Sequence, residues 1–323
     1  MKARLTKMRL KKMRLVFFGS SKESSEVLNK LLNDDFKVDL VVTQDSKASG
    51  RGLRISVTPV EKVAKTKNLE VTNGNDLFQE DQIKKLIKRN PDLFVVAAYG
   101  KILPKAILKI PRLGTINIHP SMLPLFRGPS PVATAILEGV GSTGVTIMLL
   151  DEGMDTGPII KQSDAITLRG DEKCSELSRM LFEIGGNLLI DSIRDFERGV
   201  IQTTGQDESL ATLTKLIRSS DGEINWNEKA IKIYRLMRAF DEWPGIYTFW
   251  EGKRLKIIDM EITENTHWVI EPGRVVKKGK NMFIGTGSGP LKILSLQLEG
   301  RRTITGNQFL VGYHSIVGST LPT

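Results

Sequence analysis

The chain is poor in the residues on which cross-linked and metal-built proteins depend. One cysteine, Cys174, stands among 323 residues, so an internal disulfide is excluded. With only three histidines beside it, the sequence offers no thiolate cluster for a structural zinc. No apolar run approaches the roughly 18–20 residues that span a bilayer, which excludes a membrane-spanning helix. The first strand ends in Gly19-Ser20-Ser21, so the G-x-G-x-x-G dinucleotide fingerprint is missing where it would be needed. A G-x-x-x-x-G-K-[ST] phosphate loop and a G-x-S-x-G nucleophile elbow are missing as well. Nicotinamide chemistry, nucleoside-triphosphate chemistry and α/β serine hydrolysis therefore lose most of their support.

What is present suits a two-domain globular protein, 40% hydrophobic and 26% charged. The formal net charge of +10 would ordinarily suggest nucleic acid, but it is unevenly spread. Lys2, Arg4, Lys7, Arg9, Lys11 and Lys12 crowd the first twelve residues without an acid, and residues 13–206 are nearly neutral. This tail lacks the apolar stretch of a secretory signal. It reads either as an organellar transit segment or, more simply, as a start placed upstream of Met8 or Met13. Net charge by itself is then a poor argument for RNA.

From Met13 strands and helices alternate. Leu15–Phe18, Val38–Val42, Leu93–Ala97, Gly114–Ile118 and Gly144–Leu150 read as strands. Glu23–Leu32, Glu61–Lys67, Gln79–Lys88 and Asp171–Gly199 read as helices, with Ile83, Leu86 and Ile87 expected on one apolar face of the third. The basic stretch Gln44–Thr58 reads as a long loop. The expected fold is α/β, a doubly wound and mostly parallel sheet over residues 13–201. A polar linker at 202–215 leads to helix Lys229–Phe240. Short strands at Ile246–Trp250, Leu255–Glu261, Gly273–Val276, Met282–Gly285 and Leu291–Gln297 follow, which suggests a small C-terminal β-barrel over 216–323.

Two segments can carry chemistry. In Asn117-Ile-His119-Pro-Ser121-Met122-Leu123-Pro124, Asn117 and His119 are two apart at a strand end and share a face. An amide NH2 is a fixed neutral donor, and a histidine can donate to an oxyanion or exchange a proton near neutrality. Taken alone, a histidine at a strand end is more often a satisfied structural residue. The second segment is Asp151-Glu-Gly-Met-Asp155-Thr-Gly157. Its two carboxylates can sit at different depths, one orienting a histidine while the other moves a proton, or both can simply serve a tight turn. The twelve-position EF-hand pattern is not met.

Together with Arg127-Gly128 and Gly144–Met148, these segments resemble the 10-formyltetrahydrofolate-dependent formyltransferases. The resemblance runs from about Met13 to the end of the chain. It implies that Asn117, His119 and Asp155 meet in space as a catalytic centre. It implies a folate co-substrate contacted by Ser121, Met122, Leu123 and Pro124, with Ala98, Tyr99 and Asp151 beside it, and no metal. The loop Thr43-Gln44…Ser49-Gly50-Arg51-Gly52 resembles the basic insertion of the tRNA-acting branch of this family. That branch formylates the amino group of methionine-charged initiator tRNA, which makes Arg51, Lys47 and Arg54 expected tRNA contacts. Gln206-Asp207-Glu208, Ile224-Asn-Trp226 and Arg238–Pro244 resemble its linker and C-terminal signatures. Asn225, Leu213 and Asp241-Glu242 depart from the residues usual there.

On this reading His119 is a protonated donor whose pKa Asp155 raises, and Asp155 helps remove the amine proton. Arg127 is open to a phosphate or glutamate-tail role, or to an ion pair with a loop carboxylate. The clusters Lys253-Arg254-Lys256, Lys277-Lys278-Lys280 and Arg301-Arg302 suit a tRNA backbone, or are simply solvated faces. Trp226, Trp243, Trp250 and Trp268 are expected in a core or interface. The expected protein is a monomer of the bacterial cytoplasm, or of an organelle matrix if residues 1–12 target it. An amino-sugar formyltransferase, a formyl-folate hydrolase and a non-catalytic RNA binder are the rivals.

Overall fold

A computed structural model of the chain describes residues 13–45, 47–49, 54–77, 79–263 and 268–323. In chain order the first half runs β1 (Arg14–Gly19), α1 (Lys22–Asn33), β2 (Lys37–Thr43), β3 (Lys47–Ser49), β4 (Arg54–Ser56), α2 (Pro59–Thr66), β5 (Val71–Asn73), α3 (Gly74–Leu77) and α4 (Glu80–Lys88). It continues with β6 (Leu93–Ala97), α5 (Lys105–Leu108), β7 (Thr115–His119), α6 (Pro131–Glu138), β8 (Ser142–Thr143), β9 (Thr146–Leu149), β10 (Ile159–Gln162), β11 (Ile166–Thr167) and α7 (Cys174–Arg198). Contacts divide the described residues into two units, one within 13–131, 143–166 and 178–214, the other within 132–142, 167–177 and 215–323.

The first unit is built on a seven-stranded sheet in the order β10-β9-β7-β6-β1-β2-β5. The five strands from β5 to β7 are parallel, and β9 and β10 continue the sheet antiparallel. Every residue of β6 is buried, as a strand covered on both faces requires. Val16, Phe18, Leu40, Val42, Phe94 and Val96 form the core over one face with Leu86, Tyr99, Leu103 and Ile107. Helix starts are set locally: Ser21 accepts the Ser24 N–H ahead of α1, and Thr58 accepts the Glu61 N–H ahead of α2. In α4 only Leu86 is buried, and Ile87 stands 54% exposed, so the apolar face is narrower than its spacing suggests. The stretch expected as one long loop carries the β3–β4 ladder, which pairs Lys47 with Ser56 and Ser49 with Arg54. Gly185 in α7 lets the helix lie on β7: a Cβ there would stand 2.6 Å from Ile118 Cγ2 and 3.0 Å from Val145 Cγ1.

The second unit adds α8 (Ala230–Ala239), β12 (Ile246–Trp250), β13 (Lys253–Ile262), β14 (Val275–Lys278), β15 (Asn281–Ile284), β16 (Leu291–Leu298), β17 (Ile304–Thr305) and α9 (Gly306–Gly312). Its six strands form an antiparallel sheet in the order β12-β13-β16-β15-β14, with β17 also on β16. Leu255, Ile257, Val275, Met282, Ile284, Leu291 and Leu296 alternate into its core. Trp250 packs edge-on against Phe309 of α9, and Trp226 is buried with its indole N–H on Thr248 Oγ1. Trp243 breaks the expectation for the tryptophans and is 58% exposed. Residues 132–142 and 167–177 join this unit through α8. Arg235 donates to the Glu138 carbonyl, Arg238 to the Glu172 carbonyl, and Ser175 to Asp241.

Candidate active site

β7 presents Asn117 and His119 on one face, opposite Met148 and Thr146 of β9. The His119 ring is almost wholly buried, at 3% exposure. Its Nε2 lies 2.9 Å from the Phe126 carbonyl oxygen. A carbonyl only accepts, so Nε2 carries the proton and Nδ1 is the ring position that turns to Asp155, at 3.6 Å from Oδ2. The same Oδ2 accepts the Gly128 N–H at 2.8 Å. The Asn117 side chain is half-buried and makes no hydrogen bond among the described residues, leaving its NH2 available as a donor.

Electrostatics correct one expectation. Asp155 and the Phe126 carbonyl both favour the charged imidazole, but burial opposes it more strongly and holds His119 below the usual histidine value. The histidine is therefore neutral near pH 7, and its Nε2–H is committed to Phe126.

The two carboxylates of the Asp151 segment divide the alternatives between them. Asp151 serves its own turn, accepting from the Gly153 N–H at 3.0 Å and the Thr156 hydroxyl at 2.7 Å. Asp155 is the one that reaches the histidine. Lys105 at the start of α5 pairs with Glu152 of the same loop.

The Ser121–Pro124 segment is held by hydrogen bonds on both sides. The buried Ser121 hydroxyl donates to the Leu125 carbonyl at 2.6 Å, so it shapes the loop. Thr146, fully buried on β9, donates to the Ser121 carbonyl at 2.7 Å and accepts the Leu123 N–H at 3.1 Å. Gln162 donates to both the Leu123 carbonyl and Thr146 Oγ1. Tyr99 is a core residue, edge-on to Phe18, and burial first, with Asp45 second, pushes its phenol up to about 12. What it turns outward is its carbonyl, which Gln44 Nε2 holds at 2.7 Å. Ala98 is exposed at the turn before it.

Arg51 lies outside the described residues, and Lys47 and Arg54 lie on β3 and β4. Of its two expected roles Arg127 takes the ion pair, with Glu208 of the 202–215 segment and not with the Asp151 loop. It is 3% exposed, and its guanidinium is bound through Nε to Gln206 Oε1 and through both terminal nitrogens to Glu208. That pairing holds the Glu208 carboxyl below the usual range. Thr146, Gln162, Gln206 and Phe126 are the site residues that sequence reasoning passed over. Only Gln206 carried a signal, as part of a motif read as linker.

A family model described as "Formyl transferase" matches residues 13–193, and one described as "Formyl transferase, C-terminal domain" matches 216–314. The chain is 41% identical to the methionyl-tRNA formyltransferase of Chloroflexus aurantiacus over 94% of its own length and 98% of that protein. Among solved structures it resembles WlaRD, a sugar 3N-formyl transferase, with a TM-score of 0.64 at 18% identity, covering 90% of this chain and all of that one. HypX from Aquifex aeolicus in complex with tetrahydrofolic acid gives a TM-score of 0.66 at 19% identity, covering 95% of this chain. The present chain spans about half of HypX, 48% of its length. These last two likenesses concern the fold. The chain belongs to the methionyl-tRNA formyltransferase family.

Proposed function

We propose that the protein transfers the formyl group of 10-formyltetrahydrofolate to the α-amino group of methionyl-tRNA, with Asn117, His119 and Asp155 as its catalytic centre. The observation that carries this reading is an unpaired amide donor beside a buried, neutral histidine that a carboxylate faces. The folate supplies the formyl carbon. As the amine attacks, the formyl oxygen gains negative charge, and the Asn117 NH2 is the donor to meet it. His119 accepts the amine proton at Nδ1, where Asp155 stabilises the imidazolium that forms; as the tetrahedral intermediate collapses, the formyl oxygen becomes a carbonyl again, the bond from the formyl carbon to folate N10 breaks, and the proton passes to the departing N10. The family relation supports Ser121–Pro124, Ala98–Tyr99 and Asp151 as the folate-side residues.

Arg51, Lys47 and Arg54 are proposed tRNA contacts. The exposed Lys253, Lys277, Lys278, Lys280, Arg301 and Arg302 are proposed too, since none of these six makes an ion pair among the described residues. Among the described residues no helix is long and apolar enough to cross a membrane. The bacterial relatives support a cytoplasmic setting.

The test offers the purified protein and 10-formyltetrahydrofolate four acceptors: methionyl initiator tRNA, methionyl elongator tRNA, an amino-sugar nucleotide and water. Formylation of the initiator tRNA well ahead of the others is expected. Transfer to the sugar amine or to water instead would overturn the reading.

A further inference from the structure

The Asp151–Pro158 loop leaves the sheet at the wrong level for its task. Leu149 at the end of β9 sits opposite Ile116, three residues before His119 on β7, which is about 10 Å at the usual rise of a strand. Asp155 nevertheless lies 3.6 Å from His119, so the loop folds back along the face of β7. Gly157 permits this, because a Cβ there would meet the Leu149 carbonyl oxygen at 1.9 Å. The two residues that touch the imidazole, Phe126 and Asp155, both sit in the left-handed region, with φ of 59° and 54°. Neither is glycine, and such backbone persists only where its surroundings hold it.

One short segment holds both. Gln206 Nε2 donates to the Asp155 carbonyl at 2.8 Å and the Gly157 carbonyl at 2.7 Å. Gln206 Oε1 accepts from Arg127 Nε, and Glu208 grips the other two guanidinium nitrogens. Thr212 Oγ1 accepts the Phe126 N–H at 2.7 Å, its carbonyl accepts the Arg127 N–H at 2.9 Å, and the Thr214 N–H closes on the Arg127 carbonyl at 2.7 Å.

We propose that Gln206, with Arg127 and Glu208 behind it, is a positioning clamp that holds Asp155 and the Phe126 carbonyl at the two ring nitrogens of His119. Gln206, Glu208, Thr212 and Thr214 thus complete the site, where a linker alone would only join two domains. The inference rests on the reading of His119 and Asp155 given above. The planar guanidinium suits the task because its donors leave in fixed directions, one side to Gln206 and the other to Glu208.

Two variants test it. Gln206→Ala removes the side chain, and Gln206→Glu keeps its size and its acceptor for Arg127 while losing both donors to the loop carbonyls. Each should lower kcat for formylation of methionyl initiator tRNA by about 10- to 100-fold, as expected for a displaced catalytic group, with both KM values within about two-fold. Cooperative melting should persist. The adjacent Asp207→Asn, which keeps a side-chain acceptor for Ser209, should leave kcat unchanged. A second readout does not depend on turnover. With three histidines in the chain, the His119 ring resonances can be assigned in 15N-histidine-labelled protein through their loss in His119→Ala. Both Gln206 variants should shift or broaden the Nε2–H signal. Unchanged kcat, a loss confined to KM, or an unmoved His119 signal in Gln206→Glu would overturn the clamp. Absence of transfer by the unsubstituted protein would instead overturn the functional reading, and the His119 signal would still decide the clamp.

Discussion

Two regions, the surroundings of β7 in the first unit and the cation clusters of the second, treat polar side chains in opposite ways. Beside β7 the first unit buries His119, Ser121, Thr146 and Arg127, each at 3% exposure or less and each hydrogen-bonded. The second unit buries Arg238 against the Glu172 carbonyl as a structural tie and leaves Lys253, Lys277, Lys278, Lys280, Arg301 and Arg302 exposed. A buried polar group carries a desolvation penalty and tolerates only a narrow geometry, which suits a reacting centre. An exposed cation is adaptable, adds to its neighbours and is screened by salt, which suits a phosphate backbone. Damage to the buried groups beside β7 should therefore appear in the rate of chemistry, and damage to the exposed cations in the affinity and salt dependence of tRNA.

The sharpest break in that contrast comes from the reacting groups. Asn117→Ala and His119→Ala should each lower kcat by about 100- to 1,000-fold with the fold retained, measured by single-turnover formylation and circular dichroism. Arg51→Ala should raise KM for methionyl-tRNA several-fold or more. Lys277→Ala with Lys278→Ala should act more weakly, reducing the slope of log affinity against log salt by about one for each phosphate contact removed. Deleting residues 1–12 should change formylation by less than about two-fold, since net charge acts on encounter and not on chemistry.

Acid titration sharpens the comparison from the side of stability. His119 is held below the usual histidine value of about 6.5 by burial. On unfolding it returns to that value, so between about pH 6.5 and its folded value the unfolded chain binds a proton that the native chain does not. Stability present at neutral pH is therefore lost as the pH falls through this window. Asp92 and Glu172, held low by hydrogen bonds despite burial, act only below about pH 4.5. The melting midpoint should drop between pH 7 and 5.5, and His119→Phe should flatten that drop.

The strand–helix alternation was legible because β1, β2 and β6 of the parallel sheet are short apolar runs closed by turns. The short β5, β10 and α6 were not, since four or fewer residues of strand, or a helix without a polar face, leave little periodicity to read. Asn117 and His119 were legible as a same-face pair, but their junction with Asp155 was not, because the contact depends on how a loop folds back across a sheet. The sign of the His119 shift was missed for a related reason: burial is a property of the packed ring, while Asp155 could be seen in the sequence. Gln206 and Arg127 lie 79 residues apart, and no local pattern announces their contact.

The most direct test is formylation of methionyl initiator tRNA by Asp155→Asn against the unsubstituted protein, under single turnover and with the fold checked by circular dichroism. The side chain keeps its shape and can still accept the Gly128 N–H, but it loses the charge that stabilises an imidazolium on His119. Formyl-methionyl-tRNA from the unsubstituted protein, with a rate at least about 100-fold lower from Asp155→Asn, is the predicted result. Near-equal rates from the two proteins would contradict the account.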